Sequence, residues 1–217
     1  MKIINFEETN SIVNQYVSEL RDINVQKDPM RFRRNVERIG EIMAYEISKT
    51  FHYGKKDIQT PLGIAPTNIP EEEVVISTIL RAGLAFHQGF LRYLDHAENA
   101  FVSAYRKYKN LQDFDIHIEY IATPSLDNKT LIICDPMLAT GSSMDLAYEA
   151  LLTKGHPSRL HVAGIIASKQ ALKYLEEKLP ADTTLWVATV DDSLNEHAYI
   201  VPGLGDAGDL AYGNKLD

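Results

Sequence analysis

From residue 73 onward, short apolar runs alternate with stretches of helical period. The runs cover residues 74–79, 100–105, 131–134, 160–167 and 185–190, and their length and flanks suit buried strands. Between them, residues 84–94, 143–154 and 169–179 repeat apolar positions at intervals of three and four, which lines one face of a helix. The clearest case is 143–154. Met144, Ala147, Tyr148, Leu151 and Leu152 share one stripe, Lys154 sits in the last turn, Gly155 at the stop and Pro157 beyond it. Strand, helix and strand in repetition require parallel pairing with right-handed crossovers. The pattern therefore predicts an α/β fold, a parallel sheet of about five strands flanked by helices.

The first third of the chain follows another rule. Phe32, Val36, Ile39, Met43 and Ile47 predict a helix over 31–51, whereas 54–70 collects Gly54, Pro61, Gly63, Pro66 and Pro70 and is the nearest approach to a seam. Residues 114–123 alternate Phe114, Ile116, Ile118 and Tyr120, which predicts a hairpin arm standing off the sheet. Internal repeats and low-complexity segments are absent. One domain over 1–217 is expected, with an N-terminal helical region and arm at 1–70, a sheet core at 71–190 and a C-terminal tail at 191–217.

Composition narrows the function. At 45% apolar and 24% charged the 217 residues can bury a real core. The formal charge of −8 disfavours a surface that neutralises nucleic acid phosphates, but leaves room for a small anion held by backbone N–H groups. The longest apolar run, 162–167, is far short of a membrane span. Residues 1–9 carry Glu7 and Glu8 and no apolar core, so no signal peptide is expected. Cys134 is the only cysteine, which excludes an internal disulfide; a cytoplasmic location is expected, with Asn128-Lys129-Thr130 a chance glycosylation match.

Ligands of such sheets bind where strands lead into helices. After the third core strand comes Asp135-Pro136-Met137-Leu138-Ala139-Thr140-Gly141-Ser142-Ser143, with Ser142 and Asp145 at capping-box spacing. Gly141 permits close backbone approach, and Thr140, Ser142 and Ser143 add hydroxyls. Taken alone, the segment reads either as a phosphate cradle or as an ordinary strand-to-helix turn with a serine cap. Near the C-terminus, Gly203-Leu204-Gly205-Asp206-Ala207-Gly208 matches the dinucleotide fingerprint G-x-G-x-x-G, yet too little chain follows for the strand-helix-strand unit that fingerprint needs. The seven histidines, His197 among them, show no metal-ligand spacing, and Cys134 and Trp186 read as core.

The segment 135–143 resembles the phosphoribosyl diphosphate loop of type I phosphoribosyltransferases, and in its Asp-Pro-Met-Leu-Ala-Thr-Gly form that of the uracil phosphoribosyltransferases. Ile79-Leu80-Arg81-Ala82-Gly83-Leu84 resembles the family's diphosphate loop, and 195–209, from Asn195-Glu196-His197 to Asp209, its uracil-binding tail. The resemblance extends over roughly residues 30–217 in the family's order. It departs at Ser142, where the family most often has glycine, and at Lys107-Tyr108-Lys109, where an acidic residue is usual after the arginine.

The resemblance implies transfer of the phosphoribosyl group of 5-phospho-α-D-ribose 1-diphosphate to uracil, giving UMP and diphosphate, on a type I fold with a C-terminal hood over the base. Arg81, Asp135 and Asp206 are then the catalytic candidates. Arg81, Arg106, Asp135, Pro136, Met137, Leu138, Ala139, Thr140, Gly141, Ser142, Ser143 and Asp206 would bind phosphoribosyl diphosphate, and Ile200, Gly205, Asp206 and Ala207 would bind uracil. Mg²⁺ is the implied cofactor, without direct side-chain ligation, reached by Asp135 and Asp206 through water. GTP is implied as an activator and a homo-oligomer, dimer or tetramer, as the assembly, with no nucleic acid or membrane partner. Two other readings stand beside this one: an RNA-binding regulator of a pyrimidine operon, and a phosphoribosyltransferase for another base.

Overall fold

The computed structural model describes residues 1–108 and 114–216; the side chains of 104–118 lie outside that description, those of Arg106, Lys107 and Lys109 among them. The chain opens with β1 (Lys2–Asn5), α1 (Ile12–Arg21) and α2 (Pro29–Ser48), then the hairpin β2 (Tyr53–Thr60) and β3 (Gly63–Pro70). The core follows as β4 (Val74–Leu80), α3 (Leu84–Leu91), β5 (Glu98–Tyr108), β6 (Phe114–Ala122), β7 (Thr130–Cys134), β8 (Met137–Leu138), α4 (Ser142–Leu152), β9 (Arg159–Ser168), α5 (Lys169–Lys178) and β10 (Thr184–Asp191). The tail holds β11 (Ser193–Leu194), β12 (Ile200–Val201) and α6 (Ala207–Tyr212).

The main sheet runs β1-β10-β9-β7-β4-β5-β6, with β8 paired to β9 off this path. All neighbours are parallel except β5 and β6. The five core strands predicted from the pattern are all present, and their apolar runs are continuous because both faces are covered. Alternate residues divide between two layers. Ile132, Cys134, Ala163, Ile165 and Trp186 pack with α1, α2 and α3 on one face, and Leu131, Ile133, Leu160, Val162 and Leu185 with α4 and α5 on the other. In α2, Phe32, Val36, Ile39, Met43 and Ile47 are all at most 2% exposed, so the predicted stripe is the buried face.

Two expectations need correction. Residues 114–122 do not stand off the sheet: as β6 they pair antiparallel with β5 from Phe101↔Ala122 to Tyr108↔Phe114, giving the N–H and C=O groups of β5's free edge their partners. Only beyond Ser103, where β5 outruns β4, does this hairpin project past its neighbours. The separate arm is β2–β3, a two-stranded sheet of its own within the glycine and proline seam. The second correction concerns the sheet's width. Residues 2–5 add a sixth parallel strand, β1, beside β10, where two isoleucines are too short a signal to read from sequence.

Candidate functional site

Taken in chain order, the five parallel core strands β4, β5, β7, β9 and β10 lie in the spatial order 2-1-3-4-5, so the winding reverses between β4 and β7. A crevice at the carboxyl ends of those two strands is where such sheets bind ligands. A cleft of ≈ 530 Å³ opens there. Thr78 Oγ1 donates to Cys134 O at 3.2 Å and ties the two strand ends together. Three segments line the cleft: the loop after β4 (Leu80, Arg81, Ala82), the loop and helix start after β7 (Asp135, Met137 to Gly141, Ser143), and the tail (Ile200, Gly205 to Gly208). Regions far apart in sequence thus meet as the motifs require.

In the loop after β7, Asp135 is 9% exposed, and burial pushes its carboxyl up to about 7, with one opposing N–H bond from Met137 at 3.3 Å. Ser168 Oγ donates to Ala139 O at 2.5 Å and fastens the loop to the end of β9. Gly141 then turns the chain with φ +85° into α4 as its N-cap, and no side chain caps that turn. The predicted capping box does not form, because Gly141 rather than a serine holds the cap position. Ser142 is instead helical, with Oγ 2.6 Å from Thr140 Oγ1, and Asp145 accepts from the Tyr174 hydroxyl at 2.8 Å. The left-handed position falls on glycine, so serine at 142 carries no backbone penalty. The first turn of α4 is left with N–H groups that the helix itself cannot satisfy, beside the Ser143 hydroxyl.

Arg81 follows β4 and lines the cleft. Its guanidinium donates to Asp209 Oδ1 at 2.8 Å and to Gly213 O at 3.3 Å, which links the loop to the tail. In the tail, Asp206 N-caps α6: Oδ1 accepts from Asp209 N at 2.9 Å, and Oδ2 meets Lys215 Nζ at 3.1 Å. Burial raises the Asp206 carboxyl, but the Asp209 N–H and the Lys215 ammonium outweigh it and hold the group below its ordinary value. Asp206 is therefore an ionised anchor as well as a cleft residue.

Of the residues named from sequence, Pro136 and Ser142 do not line the cleft. The Pro136 carbonyl accepts from Ile165 and Ile166 N–H, both at 3.0 Å, and so belongs to the sheet. The Arg106 side chain lies outside the described residues, although its backbone pairs with Ile116 in the β5–β6 hairpin. Sequence reasoning missed Ser103, Glu119, Tyr199 and Lys215 in the lining. Ser103, Glu119 and Lys215 are lone residues outside the three motifs, without local signal, whereas Tyr199 stands within the tail motif but was not singled out there. Asp209 was legible only as the last letter of the tail motif, and its partnership with Arg81 needed the fold. The remaining single candidates are core or surface: Cys134 is fully buried with its thiol pushed up to about 12, mainly by burial, Trp186 donates to buried His161 Nδ1 at 3.2 Å, and His197 is exposed outside the lining.

The family model described as Uracil phosphoribosyltransferase matches residues 8–214. The uracil phosphoribosyltransferase of Porphyromonas gingivalis is 59% identical over 216 residues, covering 100% of both chains. That of Methanothermobacter thermautotrophicus is 39% identical over 210 residues, 96% of this chain and 94% of the relative. Among solved structures, a protein of Aquifex aeolicus superposes with a TM-score of 0.87 at 32% identity, over 97% of this chain and 98% of its own.

Proposed function

The chain belongs to the uracil phosphoribosyltransferase family, an enzyme that makes UMP from uracil, and from that premise we propose how its cleft handles the two substrates. The observation that carries the reading is the meeting of the three motif segments around one cleft at the point where the sheet's winding reverses.

In this reading the 5′-phosphate of 5-phospho-α-D-ribose 1-diphosphate sits on the start of α4, on backbone N–H groups and the hydroxyls of Thr140 and Ser143, with Met137, Leu138 and Ala139 as the wall beneath. Asp135, at the end of β7, accepts from the ribose hydroxyls. Arg81 holds the diphosphate, since a planar guanidinium can grip two oxygens of a departing group, and Arg106 is its partner by family resemblance. Ile200, Gly205 and Ala207 frame uracil, whose carbonyls and N–H groups suit main-chain partners. The C1′–diphosphate bond breaks as the bond to uracil N1 forms, the bonding electrons leave with diphosphate, and the N1 proton is released to water or to the departing diphosphate. The chain's contribution is positioning and neutralisation of the leaving group.

Mg²⁺ fits as an ion carried by the substrate. Among the described residues no three His, Cys, Asp or Glu side chains gather to cage a metal, while Asp135 and Asp206 face one cleft and can hold its waters. When bound, it supplies positive charge to the diphosphate oxygens. A homo-oligomer, a GTP activator and a cytoplasmic location complete the proposal; sedimentation with and without GTP reads the first two. Among the described residues no helix is long and apolar enough to cross a membrane.

Turnover with uracil, cytosine, hypoxanthine and orotate tests the base: uracil is expected to be fastest, and a faster rate with any other base overturns the reading. Asp206→Asn is a better site probe than alanine, because it keeps an oxygen for the α6 cap. It is expected to lower kcat/KM by about 100-fold with the far-UV spectrum unchanged. Wild-type turnover would remove the tail from the chemistry.

A further inference from the structure

The base half of the cleft is built on a loop, residues 201–206, that turns away from β12 and re-enters the molecule at α6. Gly203 is its pivot. It lies at φ +56°, and a Cβ there would stand 2.1 Å from Ile200 O, so no other residue fits. Both of its backbone groups are taken. Its N–H donates to Asp191 Oδ2 at 2.8 Å, and its carbonyl accepts from Arg21 Nη1 at 3.0 Å. Arg21 and Asp191 in turn form a two-pronged pair, Nη1 to Oδ2 at 2.8 Å and Nη2 to Oδ1 at 2.7 Å. Arg21 Nη2 also reaches Thr189 Oγ1 at 3.4 Å, and that hydroxyl donates to Glu7 Oε2 at 2.5 Å.

Arg21 ends α1, which is held by Val13, Val17 and Leu20, all buried on one face. Asp191 ends β10. The loop is thus clamped between the N-terminal helix and the sheet, and two neighbours repeat the device. Gln26 Nε2 donates to Leu204 O at 3.2 Å while also holding Leu20 O at 2.8 Å, and Arg33 Nη1 donates to Ala211 O at 2.6 Å. None of these three side chains lines the cleft. All bind the main chain of the segment that does.

Resting on the reading that residues 200–207 receive uracil, we propose that Arg21, locked by Asp191, is a positioning residue for the base: it fixes the Gly203 peptide from behind and so sets where Gly205, Asp206 and Ala207 face the cleft. The phosphoribosyl half, on β4, β7 and α4, has no part in this clamp. The tail meets that half at Asp206 and through the bonds of Arg81 to Asp209 and Gly213, so loss of the clamp should fall chiefly on uracil and move phosphoribosyl diphosphate much less.

Arg21→Gln, which keeps a donor but loses the charged fork, is expected to raise KM for uracil roughly ten-fold while KM for phosphoribosyl diphosphate stays within about two-fold. Arg21→Gln with Asp191→Asn should be no worse than the more impaired single variant, because both remove one device. Gln26→Ala, a milder cut that leaves the ion pair whole, should move uracil KM in the same direction by less. An unchanged uracil KM in Arg21→Gln, or an equal rise in both KM values, overturns the proposal. If Arg21→Gln does not fold, Gln26→Ala decides by the same split. Ala207→Val, which narrows the base space itself, separates the two ideas. If it too leaves uracil KM unchanged, the tail is not the base site; if it raises uracil KM while the clamp variants do not, only the positioning role fails.

Discussion

Asp135 combines two demands that oppose each other. Its place at the end of β7 buries it, which raises the carboxyl to about 7, yet the proposed acceptance from two ribose hydroxyls is served best by the ionised form. kcat/KM for phosphoribosyl diphosphate should therefore fall as pH drops below about 7, and Asp135→Asn should lose that acid limb along with most activity; a limb that persists in the variant would assign it to another group. Stability carries the matching sign. With the folded value raised above the ordinary 3.8, the folded protein keeps a proton that the unfolded chain gives up between those values, so stability declines as pH rises through that window. Thermal denaturation at pH 5 and pH 8 checks this: Asp135→Asn should gain on the wild type at the higher pH. The neighbouring Cys134 is fully buried, and burial, with the Asp135 charge adding to it, pushes its thiol up to about 12. Iodoacetamide should leave it unmodified in the native protein and alkylate it in denaturant.

At the scale of elements, α4 starts where it does because Gly141 can take φ +85° and its missing side chain leaves room beside Tyr174, whose ring would stand 2.9 Å from a Cβ. Gly141→Ala should cost about 1–2 kcal/mol from the left-handed backbone alone, read by urea denaturation. If the helix start receives the phosphate as proposed, KM for phosphoribosyl diphosphate should rise while that for uracil does not. The contrast is the buried face of α2, which is remote from the cleft and contributes packing, although Arg33 on another face of the helix reaches the tail. Ile39 is fully buried there, and Ile39→Ala should cost about 2–5 kcal/mol, with turnover per folded molecule close to wild type. α6 depends on Asp206 as its cap, so the residue assigned to the substrate also sets where its own helix begins.

For the whole molecule, the net charge of −8 makes the proposed phosphate binding a local matter, assigned to the one edge of the sheet where Arg81 and the start of α4 line the cleft. A pyrimidine-operon RNA should produce no salt-dependent mobility shift; a shift that weakens with salt would restore the regulator reading. The sheet core was legible because its strands are apolar on both faces and its helices on one, a repeating signal that burial imposes on consecutive residues such as Leu131, Ile132, Ile133 and Cys134. The three loops that line the cleft were legible because tight turns and close backbone approach restrict which residues can stand there. Strand β1, the pairing of β6 along β5 and the clamp of Arg21 on Gly203 were not. Edge pairing needs only backbone groups, and a side chain that bonds a carbonyl 182 positions away leaves no periodic or local mark. Sequence alone determined the core strands and helices and which loops would face the cleft, since those follow from neighbours in the chain. Only the tertiary structure decided which of them meet, because contact between Arg21 and Gly203, or between Arg81 and Asp209, is a property of the folded path.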